Sequence, residues 1–177
     1  MDIRKAQLDM RQAYLNGATG VLISGIVWLV ASIIAYLYSQ ETSLYVFFFG
    51  GMLIHPLSIV MDKALKRSGK HQKDNPLGKL AMESTLLLFI GLFIAFYVYQ
   101  IRANWFYPIM LLLIGGRYVI FQSIYGLKIY WALGLVLVVA GSASFLLNFP
   151  FQLPVLIGGV VELIFSIILF SKKKTPN

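Results

Sequence analysis

Long runs without a charged side chain constrain this chain more than any other feature. Residues 13–39 contain no Asp, Glu, Lys or Arg, and neither do residues 84–101 or 129–161. A helix needs about 20 apolar residues to cross the hydrocarbon core of a bilayer. In hydrocarbon every backbone N–H and C=O must be paired within the protein, so runs of this length read as helices. Charged residues are only 12% of the chain, about half the share of a soluble domain. The fold class predicted is all-α: a polytopic integral membrane protein.

Turn signals divide the runs into a bundle of six transmembrane helices, about 17–38, 44–61, 80–100, 105–125, 129–147 and 155–170. They make a single transmembrane domain over 1–177. Gln40–Ser43, Arg102–Asn104 and Gly126–Lys128 are short polar breaks, and residues 148–154 form an uncharged turn with two prolines. Pro56 lacks a backbone donor and is expected to kink the second span. Asn75-Pro76 has the form of an N-cap followed by a first-turn proline, so the third helix starts near Pro76. Before the first span, Ile3, Ala6, Met10 and Ala13 recur at helical spacing among charges. They predict a short N-terminal amphipathic helix lying at the membrane surface, or a polar tail running on into the first span. The long apolar stretch that follows, with no small-x-small site, does not fit a cleavable signal.

Six spans place both termini on one side. If that side is cytoplasmic, thirteen of the fifteen Lys and Arg lie inside, all but Arg102 and Arg117. Basic residues collect in cytoplasmic loops, so the N-terminus and C-terminus are both predicted cytoplasmic, in a cell (inner) membrane. The same rule accounts for the net charge of +8 without nucleic acid as a partner. The partners expected are the lipid bilayer and its anionic headgroups, met by the basic loop 62–79 and by Lys172–Lys174. A homo-oligomer or a membrane partner chain is left open. With no cysteine and two histidines, thiolate and histidine-rich metal sites are excluded, and no cofactor is expected.

Four ionisable residues fall within spans: His55, Glu83, Arg117 and Glu162. Such residues are costly in a membrane, face the bundle interior and pair with one another. Counting 1.5 Å per residue from the cytoplasmic ends puts His55 roughly 9 Å deep, Glu83 roughly 5 Å, and Arg117 and Glu162 each roughly 12 Å. All four would lie in the cytoplasmic half. Asp62 and Ser58 share a helical face with His55, and Gly158, Gly159 and Ser166 share one with Glu162. The expectation is one polar pocket open to the cytoplasm, with Tyr118 beside it and Arg117 paired to Glu162 and to Glu83. Competing readings stand beside it. Glu83 follows Lys79 by four residues and suits a surface pair. His55 precedes a proline and could satisfy a freed carbonyl. Gly115-Gly116 suits helix packing.

Gly50-Gly51-Met52 with Pro56, Asn75-Pro76-Leu77 with Glu83-Ser84, and Gly115-Gly116-Arg117-Tyr118 together resemble a family of small prokaryotic multi-pass membrane proteins of unknown function. The resemblance covers most of the chain. It implies a bacterial or archaeal membrane location and supplies no activity.

No nucleotide-binding loop, hydrolase elbow or zinc-protease motif is present, which favours a non-enzyme. The function expected is a small-solute or proton-linked transporter or channel-like protein with a cytoplasm-facing pocket. The alternative is a membrane subunit, sensor or immunity protein acting through small-residue helix faces, such as Gly134, Gly141 and Ser144. An enzyme acting on a lipid headgroup ranks third.

Overall fold

The computed structural model describes residues 1–172. Among them the chain is all-helical. A short helix α1 (Ile3–Ala13) precedes six long ones: α2 (Ala18–Leu37), α3 (Gln40–Ala64), α4 (Pro76–Ile101), α5 (Phe106–Tyr125), α6 (Ile129–Leu146) and α7 (Gln152–Ser171). All six are long and apolar enough to cross a membrane. Lys173 and Lys174 of the basic C-terminal run lie outside the described residues.

Local chemistry explains most of the helix boundaries. Ser39 caps α3, its side chain accepting from the Thr42 N–H at 3.0 Å. Asn75 caps α4, accepting from the Leu77 N–H at 3.0 Å, with Pro76 as first residue, as the sequence predicts. Gly126 ends α5 in the left-handed conformation. α3 remains helical through Pro56, with Ser58 Oγ donating to the His55 carbonyl at 2.8 Å.

The helix α1 differs from its expected placement. A corner of three positive-φ residues, Leu15, Asn16 and Gly17, separates it from α2. At Gly17 a side chain would also strike the Tyr130 hydroxyl, so only glycine fits. The corner folds α1 back over the end of the bundle. Its apolar stripe, Ala6, Met10 and Ala13, is buried by the protein rather than left for lipid, while Ile3 stays exposed. α1 packs on α4 and α5.

The six long helices form a ring in the order α3, α2, α7, α6, α5, α4, with close packing at each of those five seams. Glycines set the closest approaches. On α2 and α7, Gly25 faces Leu163 and the Glu162 stem, Gly158 lies under the Trp28 ring, and Gly159 receives Leu29. On α5 and α6, Gly115 and Gly134 meet backbone to backbone. Small residues let helices approach this way where lipid removes the hydrophobic driving force. The sixth seam, between α3 and α4, has no such packing. There the helices meet through long side chains, with the Phe48 and Phe96 rings 6.0 Å apart.

Exchanging the first three long helices for the last three maps α2/α3 onto α5/α6 and α2/α7 onto α5/α4. Both members of each pair are packed seams. The remaining pair breaks the correspondence: α6/α7 is closed and α3/α4 is not. With three helices in each half, the two halves run in opposite directions.

Candidate functional site

The interior of the ring is divided along its length. The half away from α1 is filled by aromatic rings. Trp28 packs edge-on against Phe47 at 4.6 Å, and Tyr107 against Phe151 at 4.9 Å, with Phe106 joining both Phe47 and Tyr107. Ser43 hydrogen-bonds the Tyr107 hydroxyl and donates to the Ala31 carbonyl at 2.7 Å. The half toward α1 holds the polar groups.

Glu162 of α7 is fully buried, and Tyr118 of α5 donates to its Oε1 at 2.9 Å. Ser24 and Trp28 of α2 lie beside the same carboxylate. Its Oε2 is buried without a partner among the described residues. Gly158, Gly159 and Ser166 share its buried face, as the spacing predicts, but that face is packed against α2 and the core. Asp62 of α3 is also fully buried. It accepts from Thr19 Oγ1 at 2.9 Å, and its Oδ2 is likewise unpartnered among the described residues. Thr19 and Ser24 are five residues apart on α2, which puts them about 140° apart around the helix axis. The two carboxylates therefore sit on different sides of α2 and do not share a site. Among the described residues no three His, Asp or Glu side chains converge.

Arg117 corrects an expectation. It does not pair with Glu162: the only ion pair among the described residues is Lys79–Glu83 at 3.9 Å. One residue is 100° around a helix, so Tyr118 takes the face toward Glu162 and Arg117 points toward α4. The guanidinium donates to Thr85 Oγ1 at 2.9 Å and lies 5.0 Å over the Phe121 ring. Its Nε is buried and unpartnered among the described residues.

The other two expected members are elsewhere. Glu83 is exposed and makes the surface pair with Lys79. His55 is exposed on α3. Its face-mates Ser58 and Asp62, nearer the end of α3, are buried, Asp62 against Thr19 of α2. In place of one shared pocket, Glu162 and Tyr118 are buried together, Arg117 is partly buried on the side toward α4, and Asp62 is buried to one side.

Several residues of this region had no assigned role in the sequence. Tyr130 and Tyr125 stack at 5.4 Å, Tyr118 lies 6.0 Å from Tyr130, and the Tyr130 hydroxyl donates to the Asn16 carbonyl at 2.7 Å. Outside the long helices, burial raises the Tyr14 phenol above its ordinary value, and its hydroxyl hydrogen-bonds His71 Nδ1 across 2.7 Å. Tyrosine is common at membrane interfaces, so nothing in the spacing of these residues marks them as buried.

α1 closes the region from the end. Asn75 Nδ2 donates to the Ala6 carbonyl and to Asp9, at 3.0 and 2.7 Å. Gln7 donates to the Ser123 carbonyl at 2.9 Å, and the Gly69 N–H to the Ala13 carbonyl at 3.1 Å. Asn75 thus caps α4 and ties down α1 with one side chain. Asn75→Ala is expected to cost about 1–2 kcal/mol, the upper part of the range for a lost cap. Hydrogen–deuterium exchange should rise across residues 3–13 and stay unchanged in α6.

Nothing among curated proteins or solved structures matches this chain. A family model does, over residues 3–172, nearly the whole length and including every residue of the polar interior. The chain belongs to that family, described as a family of unknown function (DUF7010).

Proposed function

We propose that this protein is a proton-linked carrier of a small anionic solute. It would lie in a cell membrane with both termini cytoplasmic, the solute bound at Arg117 and the proton carried by Glu162. The observation behind this reading is the guanidinium of Arg117, which lies within the ring without a carboxylate partner among the described residues. Removing one partner of a buried charge pair costs about 3–5 kcal/mol, so an unpaired interior cation is a position an arriving anion would stabilise. Intramembrane ionisable groups most often mark solute and proton pathways. Tyr118 links the two sites, since it is adjacent to Arg117 in the chain and bonded to Glu162.

The helix arrangement adds support. Carriers built from two oppositely running halves work by alternating which seam is open. Here one pair of equivalent seams is unequal, α6/α7 packed and α3/α4 not. The alternative of a partner-binding subunit has lost most of its surfaces: Gly134, Gly141 and Ser144 are buried within the chain.

The test is flux in proteoliposomes under an imposed pH gradient, with a panel of carboxylate and phosphate anions. Wild-type protein should move at least one anion class with protons. Arg117→Gln should reduce uptake at least about tenfold, the effect of losing about 1.4 kcal/mol of binding. Glu162→Gln should keep anion exchange and lose its dependence on the pH gradient. Equal flux in wild type and Arg117→Gln for every anion would overturn the reading.

A further inference from the structure

The unpacked seam between α3 and α4 joins the bilayer to Arg117. α4 buries Leu77, Ser84, Gly91 and Ala95 against its neighbours. Thr85, Leu92 and Phe96 stand beside that stripe, on the side where Phe96 meets Phe48 of α3. Thr85 is the residue that holds Arg117. The seam is thus closed by Phe48 and Phe96 away from α1, and the cation lies at its other end.

Two further features concern charge and depth. Lys63 lies in the last turn of α3, at the α1 end of the seam, while Lys79 pairs with Glu83 on the exposed face of α4. Arg117 is roughly 12 Å from the end of α5 by residue count, and its guanidinium lies over the Phe121 ring. The guanidinium stays near that depth, between the Phe121 ring and Thr85 of α4. Basic positions between transmembrane helices are where anionic headgroups bind.

We propose that the α3/α4 seam is a lateral binding site for a membrane phospholipid with a net negative headgroup. The phosphate sits at Arg117, assisted by Lys63, and an acyl chain lies along Leu92 toward Phe96. This goes beyond the carrier reading: the headgroup phosphate would occupy the same cation that the small anionic solute of that reading binds.

The chain has no cysteine, so single cysteines can be labelled cleanly. Leu92→Cys reports on the seam, and Leu135→Cys on α6, 62% exposed, reports on bulk lipid. Each is labelled with bimane and reconstituted with phosphatidylglycerol or phosphatidylcholine brominated on the acyl chain. At equal mole fraction, brominated phosphatidylglycerol should quench the Leu92 label at least about threefold more effectively than the choline lipid, a preference of about 0.65 kcal/mol. At Leu135 the two should quench alike. Arg117→Gln should abolish the preference and Arg117→Lys should retain most of it. Equal quenching by the two lipids at Leu92 overturns the proposal, and this comparison needs no change at Arg117. A preference that survives Arg117→Gln also overturns it, since the loop lysines would then hold the headgroup. Displacement by soluble glycerol phosphate overturns the lipid class while leaving an anion site at Arg117. The lipid preference without Arg117-dependent flux would instead retain the site and remove the carrier reading.

Discussion

Gly134→Leu is expected to leave little folded protein, whereas Gly116→Leu should be silent. A Cβ on Gly134 would lie 2.6 Å from the Gly115 carbonyl oxygen and 3.2 Å from the Val119 nitrogen. Both are backbone atoms, so no flexible side chain can swing away. A Cβ on Gly115 would meet the Gly134 oxygen at 2.8 Å, which makes this the tightest reciprocal contact between α5 and α6. Added methylenes in a packed interior cost about 1–3 kcal/mol, and alanine at Gly134 falls in that range. Leucine carries three more carbons and would force the helices apart along the seam. In a membrane that separation is not offset by hydrophobic burial, because close packing is what holds the helices together. Gly116 has nothing within 4 Å of its would-be Cβ and is exposed. Yield of monodisperse protein in mild detergent, followed by thermal unfolding, checks the pair.

Only half of this contrast is legible in the sequence. Gly115-Gly116 suggests helix packing, but the text does not say which glycine faces a partner. The features that were legible are those governed by local chemistry or by length. The six apolar runs gave six helices because the length of an uncharged run is a property of the chain alone. Asn75-Pro76 marked the start of α4 because a cap depends on three neighbouring residues.

The features that were not legible depend on rotation and on tertiary cover. Depth along a helix follows from counting residues, so Arg117 and Glu162 were placed near one level. Azimuth does not follow until the neighbours are known, and one step of 100° gave Glu162 to Tyr118 instead. His55 and Asp62 share a helical face, yet one is exposed and the other buried, because Thr19 and the α1 corner cover only the end of α3. The apolar stripe on α1 is legible from its spacing, but the protein surface that covers it is not. A stripe of Ala6, Met10 and Ala13 looks the same whether it meets lipid or protein. What decided it was the left-handed corner at Leu15–Gly17, of which only Asn16-Gly17 is a residue pair suited to positive φ.

Trp28→Ala should cost about 3 kcal/mol, and Trp28→Phe much less, although the phenylalanine variant should disturb the site more than its stability suggests. Trp28 is 1% exposed, stacks edge-on against Phe47 and lies across Gly158 of α7. Truncating a buried Trp in a soluble core costs about 3–5 kcal/mol. Part of that is transfer from water, which a membrane bundle does not have, so the low end applies and reflects lost packing and the cavity. A cavity there would also loosen α2 against α7, because the indole lies directly on Gly158. Phenylalanine keeps most of the ring contact. It loses part of the bicyclic ring and, with it, Nε1–H, a buried donor without a hydrogen-bond partner among the described residues, so no hydrogen bond is lost in this conformation. The indole nevertheless lies beside Glu162, whose Oε2 is also free. If the two atoms join when the carboxylate becomes charged, Trp28→Phe will shift the pH dependence of flux while thermal unfolding moves little. A phenylalanine variant with wild-type pH dependence would make Trp28 a packing residue alone.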